Sequence, residues 1–158
     1  MIAESVEGIS FAQERTDTVL KEIGPLMIEH DKIVATDINR DFPVDISEES
    51  YKKMEQAGIL WAFTARDAEG KLVGYLTYFI FPSIHRKTLT VAHEDAFYVR
   101  PEARKRGVAK GLKAFAESKF AGKAQFVIYH APVTSPVFGK MLEREGCEKY
   151  ATYYGRKL

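Results

Sequence analysis

The stretch from Thr88 to Phe120 constrains this chain more than any other. Thr88 to Val99 (TLTVAHEDAFYV) is β-branched and aromatic, without Gly or Pro, and predicts a strand that Pro101 ends. Val108, Leu112, Phe115 and Ala116 recur at helical spacing and predict one apolar helix face. Between them lies Arg104-Lys105-Arg106-Gly107-Val108-Ala109. The start of a helix presents unpaired backbone N–H groups and the positive end of its dipole, which together attract anions. Gly107 lets the backbone come close to a bulky anion, and the three cations add charge. A strand that feeds a helix, followed by another strand, makes a parallel, right-handed unit.

Composition narrows the classes. With 158 residues the chain is one domain, 1–158, long enough for a hydrophobic core. Apolar and charged fractions of 46% and 28% are those of an ordinary soluble globular protein. The net charge of +1 predicts no polyanionic partner, although Arg100 to Lys123 holds eight Lys/Arg against two Glu. No aromatic residue is interleaved with the basic cluster between Pro101 and Leu112, which argues against nucleic acid, and no Walker-type P-loop occurs. The sole cysteine, Cys147, excludes an internal disulfide and suits a reducing compartment. No signal-peptide pattern opens the chain, and the longest apolar run, Leu72 to Phe81, is too short to span a bilayer, so the expected location is cytoplasmic, with no membrane partner. His30, His85, His93 and His130 lie far apart without paired ligand spacing, so no metal is expected.

Taken in order, Ile9–Gln13 predicts a first strand, and Thr16–Val34 a helix that Gly24-Pro25 should kink or split. A polar loop, Ala35–Asp45, leads to Asp45-Ile46-Ser47-Glu48, a capping box for a short helix that runs to Ala57 and stops at Gly58. Ile59–Arg66 and Lys71–Phe81 are strands joined by a turn at Asp67–Gly70. The second is apolar on both faces and should be central. Ala124–His130 is a short buried strand. Ser135-Pro136 opens a helix in which Val137, Phe138, Met141 and Leu142 face inward and which Gly146 closes. Cys147–Leu158 is a final strand. An α/β class follows: a mixed sheet with helices on both faces.

Arg104-x-x-Gly107-x-Ala109, after a strand ending Val99-Arg100-Pro101-Glu102 and before an amphipathic helix, resembles the acetyl-CoA signature Gln/Arg-x-x-Gly-x-Gly/Ala of the GNAT N-acetyltransferase superfamily. More loosely, the resemblance extends over most of the chain. It implies the GNAT-like acyl-CoA N-acyltransferase fold, a mostly antiparallel sheet with a central, splayed parallel pair. It implies a transferase that moves an acetyl group from acetyl-CoA, as co-substrate, to a primary amine (a small amine, or one on a peptide or protein) by direct transfer in a ternary complex. The cofactor contacts it implies are Phe97, Tyr98 and Val99, pairing with the pantetheine arm like an added strand, then Arg104, Lys105, Arg106, Gly107, Val108, Ala109 and Lys110 around the pyrophosphate, with Ser135 and Phe138 on the last helix. The last helix departs from the family pattern N-x-x-A-x-x-L-Y-E-K-x-G-F: here it reads SPVFGKMLEREGCE. Ser135 stands at the Asn, Leu142 at the Tyr that usually protonates the thiolate, and Cys147 at the Phe. No general acid carries over, and Tyr129, Tyr150, Tyr153 and Tyr154 are merely near in sequence.

The base has three candidates. By period two, Leu89, Val91, Phe97 and Val99 share one strand face, and His93 and Asp95 fall in the middle of it. Polar groups inside an apolar stripe need an explanation, which is a general base, amine recognition or a structural hydrogen bond. A bulge, common in this strand of the family, would bring Glu94 to that face instead. An ordinary histidine at His93 would suit proton removal near neutral pH. Glu29, His30, Asp31, Asp37 and Asp41 lie where the family roofs its acceptor site and would suit a cationic amine. Two other classes stay open: a non-catalytic acyl-CoA-binding module, which the missing Tyr favours, and a basic-loop domain that binds nucleic acid or protein. Exposed sheet edges permit a monomer or a homodimer.

Overall fold

The structure is a computed structural model that describes residues 5–6, 8–34 and 41–156. Its elements are β1 (Ser5–Val6), β2 (Ile9–Glu14), α1 (Thr16–Val34), α2 (Glu48–Gln56), β3 (Leu60–Arg66), β4 (Leu72–Pro82) and β5 (Thr90–Val99). A 3-10 segment (Pro101–Arg106), α3 (Val108–Lys119), β6 (Phe126–Ile128) and α4 (Pro136–Arg144) follow. The six strands lie side by side in chain order, antiparallel from β1 to β5, with β6 parallel to β5. The α/β class and the mixed sheet are as expected.

β4 is the double-sided strand its composition predicts: every residue from Leu72 to Tyr78 is buried. A register shift against β3, where Ala65 opposes Gly74 and Arg66 opposes Leu72, makes Val73 an extra residue. Leu72 and Tyr75 consequently pack with Val19, Ile23 and Leu26 of α1, while Val73, Leu76 and Tyr78 pack with Val108, Leu112, Phe115 and Ala116 of α3. The helices thus cover opposite faces. α3 lies close to β2 because Gly111 has no side chain: a Cβ there would stand 2.6 Å from the Phe11 ring.

Several expectations are corrected. α1 is not split at Gly24-Pro25 but continues from Thr16 to Val34. Its buried stripe Val19, Leu20, Ile23 and Leu26 holds it to the sheet through Pro25, and the residue whose carbonyl loses its donor, Lys21, is exposed. The N-cap of α2 is Ser47, whose Oγ accepts the Ser50 N–H at 3.2 Å, rather than Asp45. The strand expected over Ala124–His130 is a pairing of three residues, Phe126–Ile128, none of them buried. On α4, Leu142 is buried and Phe138 and Met141 are half-buried, but Val137 is 77% exposed and faces outward.

The final strand expected over Cys147–Leu158 is absent from residues 147–156, and residues 157–158 lie outside those described. The parallel pair is therefore at the edge of the sheet, not its centre. β6 pairs with β5 over three residues and offers a short template for a further strand. Beyond α4, the Tyr150 and Tyr153 rings pack on Phe126 and His130, at 5.9 and 5.5 Å, so side chains rather than a backbone ladder hold this segment against the sheet.

Candidate active site

The site begins with a fault in one strand. Along β5, Ala96 opposes Thr77 but Glu94 opposes Tyr78, so Asp95 is an extra residue in a bulge. An inserted residue breaks the period of two. Ala92 packs on the α3 face and so do Phe97 and Val99, whereas Tyr98 and Ala96 pack on the α1 face. The single stripe of Leu89, Val91, His93, Asp95, Phe97 and Val99 expected from periodicity is therefore broken at Asp95. The bulge turns Glu94 and Asp95 to different surroundings.

Asp95 opens into a cavity of about 230 Å³ on the α1 face. Met27, His30, Asp31 and Val34 of α1, Val44, Tyr51 of α2, Tyr75 of β4 and Ala96 complete its lining. The Asp95 carboxylate accepts a hydrogen bond from Thr77 Oγ1 at 2.9 Å. It reaches solvent through the cavity mouth, yet enough protein surrounds it that desolvation raises its pKa, against the Thr77 bond and the nearby His130 and His93, which lower it. His30 Nδ1 lies 3.1 Å from the Tyr75 hydroxyl, and its ring stacks on Tyr98 at 5.3 Å. Burial lowers the His30 pKa, which favours the neutral imidazole. The Tyr51 hydroxyl donates to Met27 Sδ at 3.7 Å; burial, then the charge of Asp95, pushes its pKa up to about 12.

Glu94 is 4% exposed and points to where β5 and β6 part. The ladder between them runs from Val91↔Phe126 to His93↔Ile128 and then stops. Just beyond, Glu94 Oε2 accepts the His130 backbone N–H at 2.8 Å, and the Glu94 carbonyl accepts from His130 Nδ1 at 2.9 Å. A carbonyl can only accept, so Nδ1 carries the proton. Burial lifts the Glu94 pKa to about 7, opposed by the His130 N–H and reinforced by the charge of Asp95. His93 is half-buried, its ring 4.6 Å from that of His130 and 6.2 Å from Phe81; burial, then the charge of His130, lowers its pKa. The three base candidates are consecutive in the chain, and the fold gives them three different surroundings.

Past the fork, Ala96 to Val99 pair with β4 on one side and with no strand on the other among the described residues. Phe97 meets Phe138 of α4 edge-on at 5.4 Å. Ser135 is the N-cap of α4, although its side chain makes no capping bond. Val99 and Tyr98 are buried, and the Tyr98 hydroxyl donates to Glu29. What composition predicts as a basic turn is the 3-10 segment Pro101–Arg106, closed by Gly107 in the left-handed conformation (φ 73°), after which α3 begins at Val108. Only glycine adopts that conformation readily, and here it aims the first turn of α3, with its unpaired N–H groups, out of the strand end. Arg104 Nε donates to the Val99 carbonyl at 2.8 Å, and its guanidinium lies 5.5 Å over the Tyr98 ring. Arg106, Gly107 and Lys110 are exposed, Ala109 is half-buried, and Val108 is buried, so Val108 contributes only backbone to this surface; the Lys105 backbone lies in the same segment. An open strand edge suits an amide-bearing arm, and a helix start flanked by cations suits a diphosphate. The residues present fit the two halves of an acyl-CoA.

The acidic roof is only partly assembled. His30 and Asp31 line the cavity. Glu29 does not: it accepts from the Tyr98 hydroxyl at 3.3 Å and pairs with Arg100 at 3.4 Å. Asp41 is not among the lining residues, and Asp37 lies outside the described residues. The tyrosines near in sequence are elsewhere too. Tyr129 donates to Glu117 at 2.5 Å and accepts from Tyr78 at 2.9 Å on the α3 face, while Tyr150, Tyr153 and Tyr154 are exposed beyond α4; Leu142 is buried. Periodicity missed Tyr51 and Tyr75, which do line the cavity, because Tyr75 reads as core and Tyr51 sits on a helix with no buried residue. Among the described residues no three His, Cys, Asp or Glu side chains gather to hold a metal ion, and no helix is long and apolar enough to cross a membrane.

Comparison with known proteins gives the family and the fold. Residues 32–134 match the family model described as the acetyltransferase (GNAT) family. No curated protein sequence matches the chain. Among solved structures, a ribosomal-protein-alanine N-acetyltransferase from Brucella melitensis biovar Abortus 2308 superimposes with a TM-score of 0.75 at 18% identity, over 96% of this chain and 100% of that one. An aminoglycoside acetyltransferase, meta-AAC0020, from an uncultured soil metagenomic sample, in complex with trehalose, gives 0.75 at 16% identity, over 96% and 97%. AAC(6')-Iy in complex with the bisubstrate analogue CoA-S-monomethyl-acetylneamine gives 0.70 at 20% identity, over 95% and 99%.

Proposed function

The chain belongs to the GNAT acetyltransferase family, and from that premise we propose that it moves the acetyl group of acetyl-CoA directly to a primary amine seated in the Asp95 cavity. The bulge carries this reading. It opens Asp95 to a cavity on the α1 face within a few residues of the free strand edge at Ala96–Val99, so the amine and the acyl arm meet along the same strand. The similar structures are named for acetyl transfer to aminoglycosides and to a ribosomal-protein alanine, both of them amines, which supports the acceptor class.

In this reading the N–H groups at the start of α3 hold the pyrophosphate with Arg104, Lys105, Arg106 and Lys110, while Phe97 to Val99 bind the pantetheine arm, with Ser135 and Phe138 at its far side. Acetyl-CoA supplies an activated acyl group as its thioester. Asp95 accepts the proton of the incoming ammonium, and its raised pKa makes it a stronger base than an ordinary aspartate. Tyr51, Tyr75 and Met27 narrow the cavity around the amine and restrict water. With Leu142 at the usual tyrosine position, the departing thiolate takes its proton from solvent. A location in a reducing compartment such as the cytoplasm suits the single cysteine.

A second reading, an acyl-CoA-binding module without turnover, is favoured by that same Leu142. Calorimetry with acetyl-CoA, followed by thiol release across a panel of amines, separates the two: the module binds but releases no CoA. Gly107→Glu tests the site itself. A Cβ at Gly107 has 3.8 Å to its nearest neighbour, so the variant folds at a cost of about 1 kcal/mol for the left-handed backbone. It should weaken acetyl-CoA at least ~100-fold by placing a carboxylate where the pyrophosphate sits, equivalent to about 2.8 kcal/mol. An unchanged affinity would move the cofactor elsewhere.

A further inference from the structure

We propose that Glu94 is the positioning residue of the strand fork, a strut between β5 and β6 that sets the width of the groove for the acyl-carrying arm. The role rests on reading the open edge of β5 as that groove. Parallel strands that stop pairing leave backbone groups stranded where they part, and a stranded N–H buried from water is costly. Here the His130 N–H, two residues past the end of β6, is met by a side chain, not by a strand: Glu94 Oε2 at 2.8 Å. The same residue's carbonyl takes the His130 ring N–H at 2.9 Å. Two bonds join one residue of β5 to one residue beyond β6, in a site where Glu94 is 4% exposed.

Geometry gives the strut its effect. Paired strands lie about 4.8 Å apart. A side chain placed between the two backbones holds them wider than a direct ladder bond would. Without it, the pairing of Val91–His93 with Phe126–Ile128 loses the side chain that keeps the two backbones apart at the point where the ladder ends, just before the edge at Ala96–Val99. On the far side, Phe138 against Phe97 bounds the opening. Glu94 does not line the cavity that Asp95 enters, so proton transfer from the amine falls to Asp95, not to Glu94.

The test uses the full chain with Glu94→Gln, Glu94→Asp and Glu94→Ala. Glutamine keeps the length and an acceptor oxygen; aspartate keeps the charge but is one methylene too short; alanine removes the strut. Calorimetric titration with acetyl-CoA should give wild-type affinity within about threefold for Gln, and at least ~10-fold weaker binding for Asp and Ala. The KM for the amine should stay unchanged, and kcat of the Gln variant should stay within about threefold. A ligand-free measurement, hydrogen exchange at the His130 amide, should show protection in wild type and Gln that Asp and Ala lose; if Ala does not fold, Asp alone decides. A Gln variant with normal affinity and kcat down 100-fold would make Glu94 the proton acceptor and overturn the proposal. So would an Asp or Ala variant that binds acetyl-CoA normally. A wild-type chain that binds no acetyl-CoA overturns the acyl-CoA groove and the strut's role in it, while the exchange measurement still decides whether the brace exists.

Discussion

On the α3 face of the sheet, Lys113 Nζ lies 2.9 Å from both Glu117 and Glu145, Glu117 also accepts from Tyr129, and Tyr129 accepts from Tyr78. On the α1 face, Asp95 takes one hydrogen bond, from Thr77, among the described residues, and opens with Tyr51, Tyr75 and His30 into a cavity. Both groups put polar atoms among apolar side chains. The first is closed. Each donor meets an acceptor, and Lys113, 5% exposed as a residue, also holds its ammonium 5.0 Å over the Tyr129 ring. Burial pushes the Lys113 pKa down, but its hydrogen bonds to Glu145 and Glu117 outweigh that and raise it, so the ion pair persists. The second group has acceptor capacity left over and room for a ligand to use it. Perturbed titration occurs on both faces, so it does not distinguish a brace from a site. Remaining hydrogen-bonding capacity and access do.

That contrast breaks most sharply at Asp95. Asp95→Asn should lower kcat by about 10²–10³-fold, within the usual range for a lost general base, and leave acetyl-CoA affinity within twofold. The wild-type kcat should fall as pH drops through a value above the ordinary aspartate pKa, because burial raises it and the base must be ionised; the Asn variant should show no such limb. Equal pH profiles in steady-state assays would return Asp95 to a structural role. Lys113→Ala addresses the closed network. It leaves Glu117 and Glu145 facing each other without their cation and should cost about 2–3 kcal/mol, the range for hydrogen bonds to charged groups. By differential scanning calorimetry that is a fall in Tm of roughly 5–10 °C, with kcat at low temperature unchanged. A kcat effect larger than the stability effect would show that the α3 face works in catalysis after all. Smallest is Tyr129→Phe, which removes one hydroxyl from the network and should cost about 1 kcal/mol in urea unfolding. Activity in this variant should be unaltered, whereas a loss of turnover would make Tyr129 the missing acid.

Local chemistry made some of this legible in advance. The Asp67–Gly70 turn forms as its residues dictate: Asp67 Oδ1 accepts the N–H groups of Glu69 and Lys71, and Gly70 takes φ 82°. The Gly107 loop and α3 follow for the same reason, since a left-handed glycine and an amphipathic run are decided by neighbours in sequence. The bulge at Asp95 was not legible as a fact, because a bulge belongs to a pair of strands: it exists only in the register of β5 against β4. Glu94 and Asp95 could be named as candidates, but neither could be sent to the fork or to the cavity until that register was known. Tyr51 and Tyr75 come from a helix and a strand well separated in the chain, and nothing within either marks them as neighbours of Asp95.

The sequence by itself determined the α/β class, the double-sided β4, the strand–loop–helix that offers an anion its N–H groups, and the leucine, Leu142, where the resemblance implies a tyrosine. Each is written in short-range pattern: alternation, helical spacing, and the backbone freedom of one glycine. Tertiary structure decided which polar residues are neutralised by partners and which are left facing a cavity. It placed Glu29 against Arg100 instead of in the Asp95 cavity, closed Lys113 and Tyr129 into a brace, and left residues 147–156 without a strand. Partners of that kind come from distant elements, and only packing the helices on the two faces of the sheet brings them within hydrogen-bond reach.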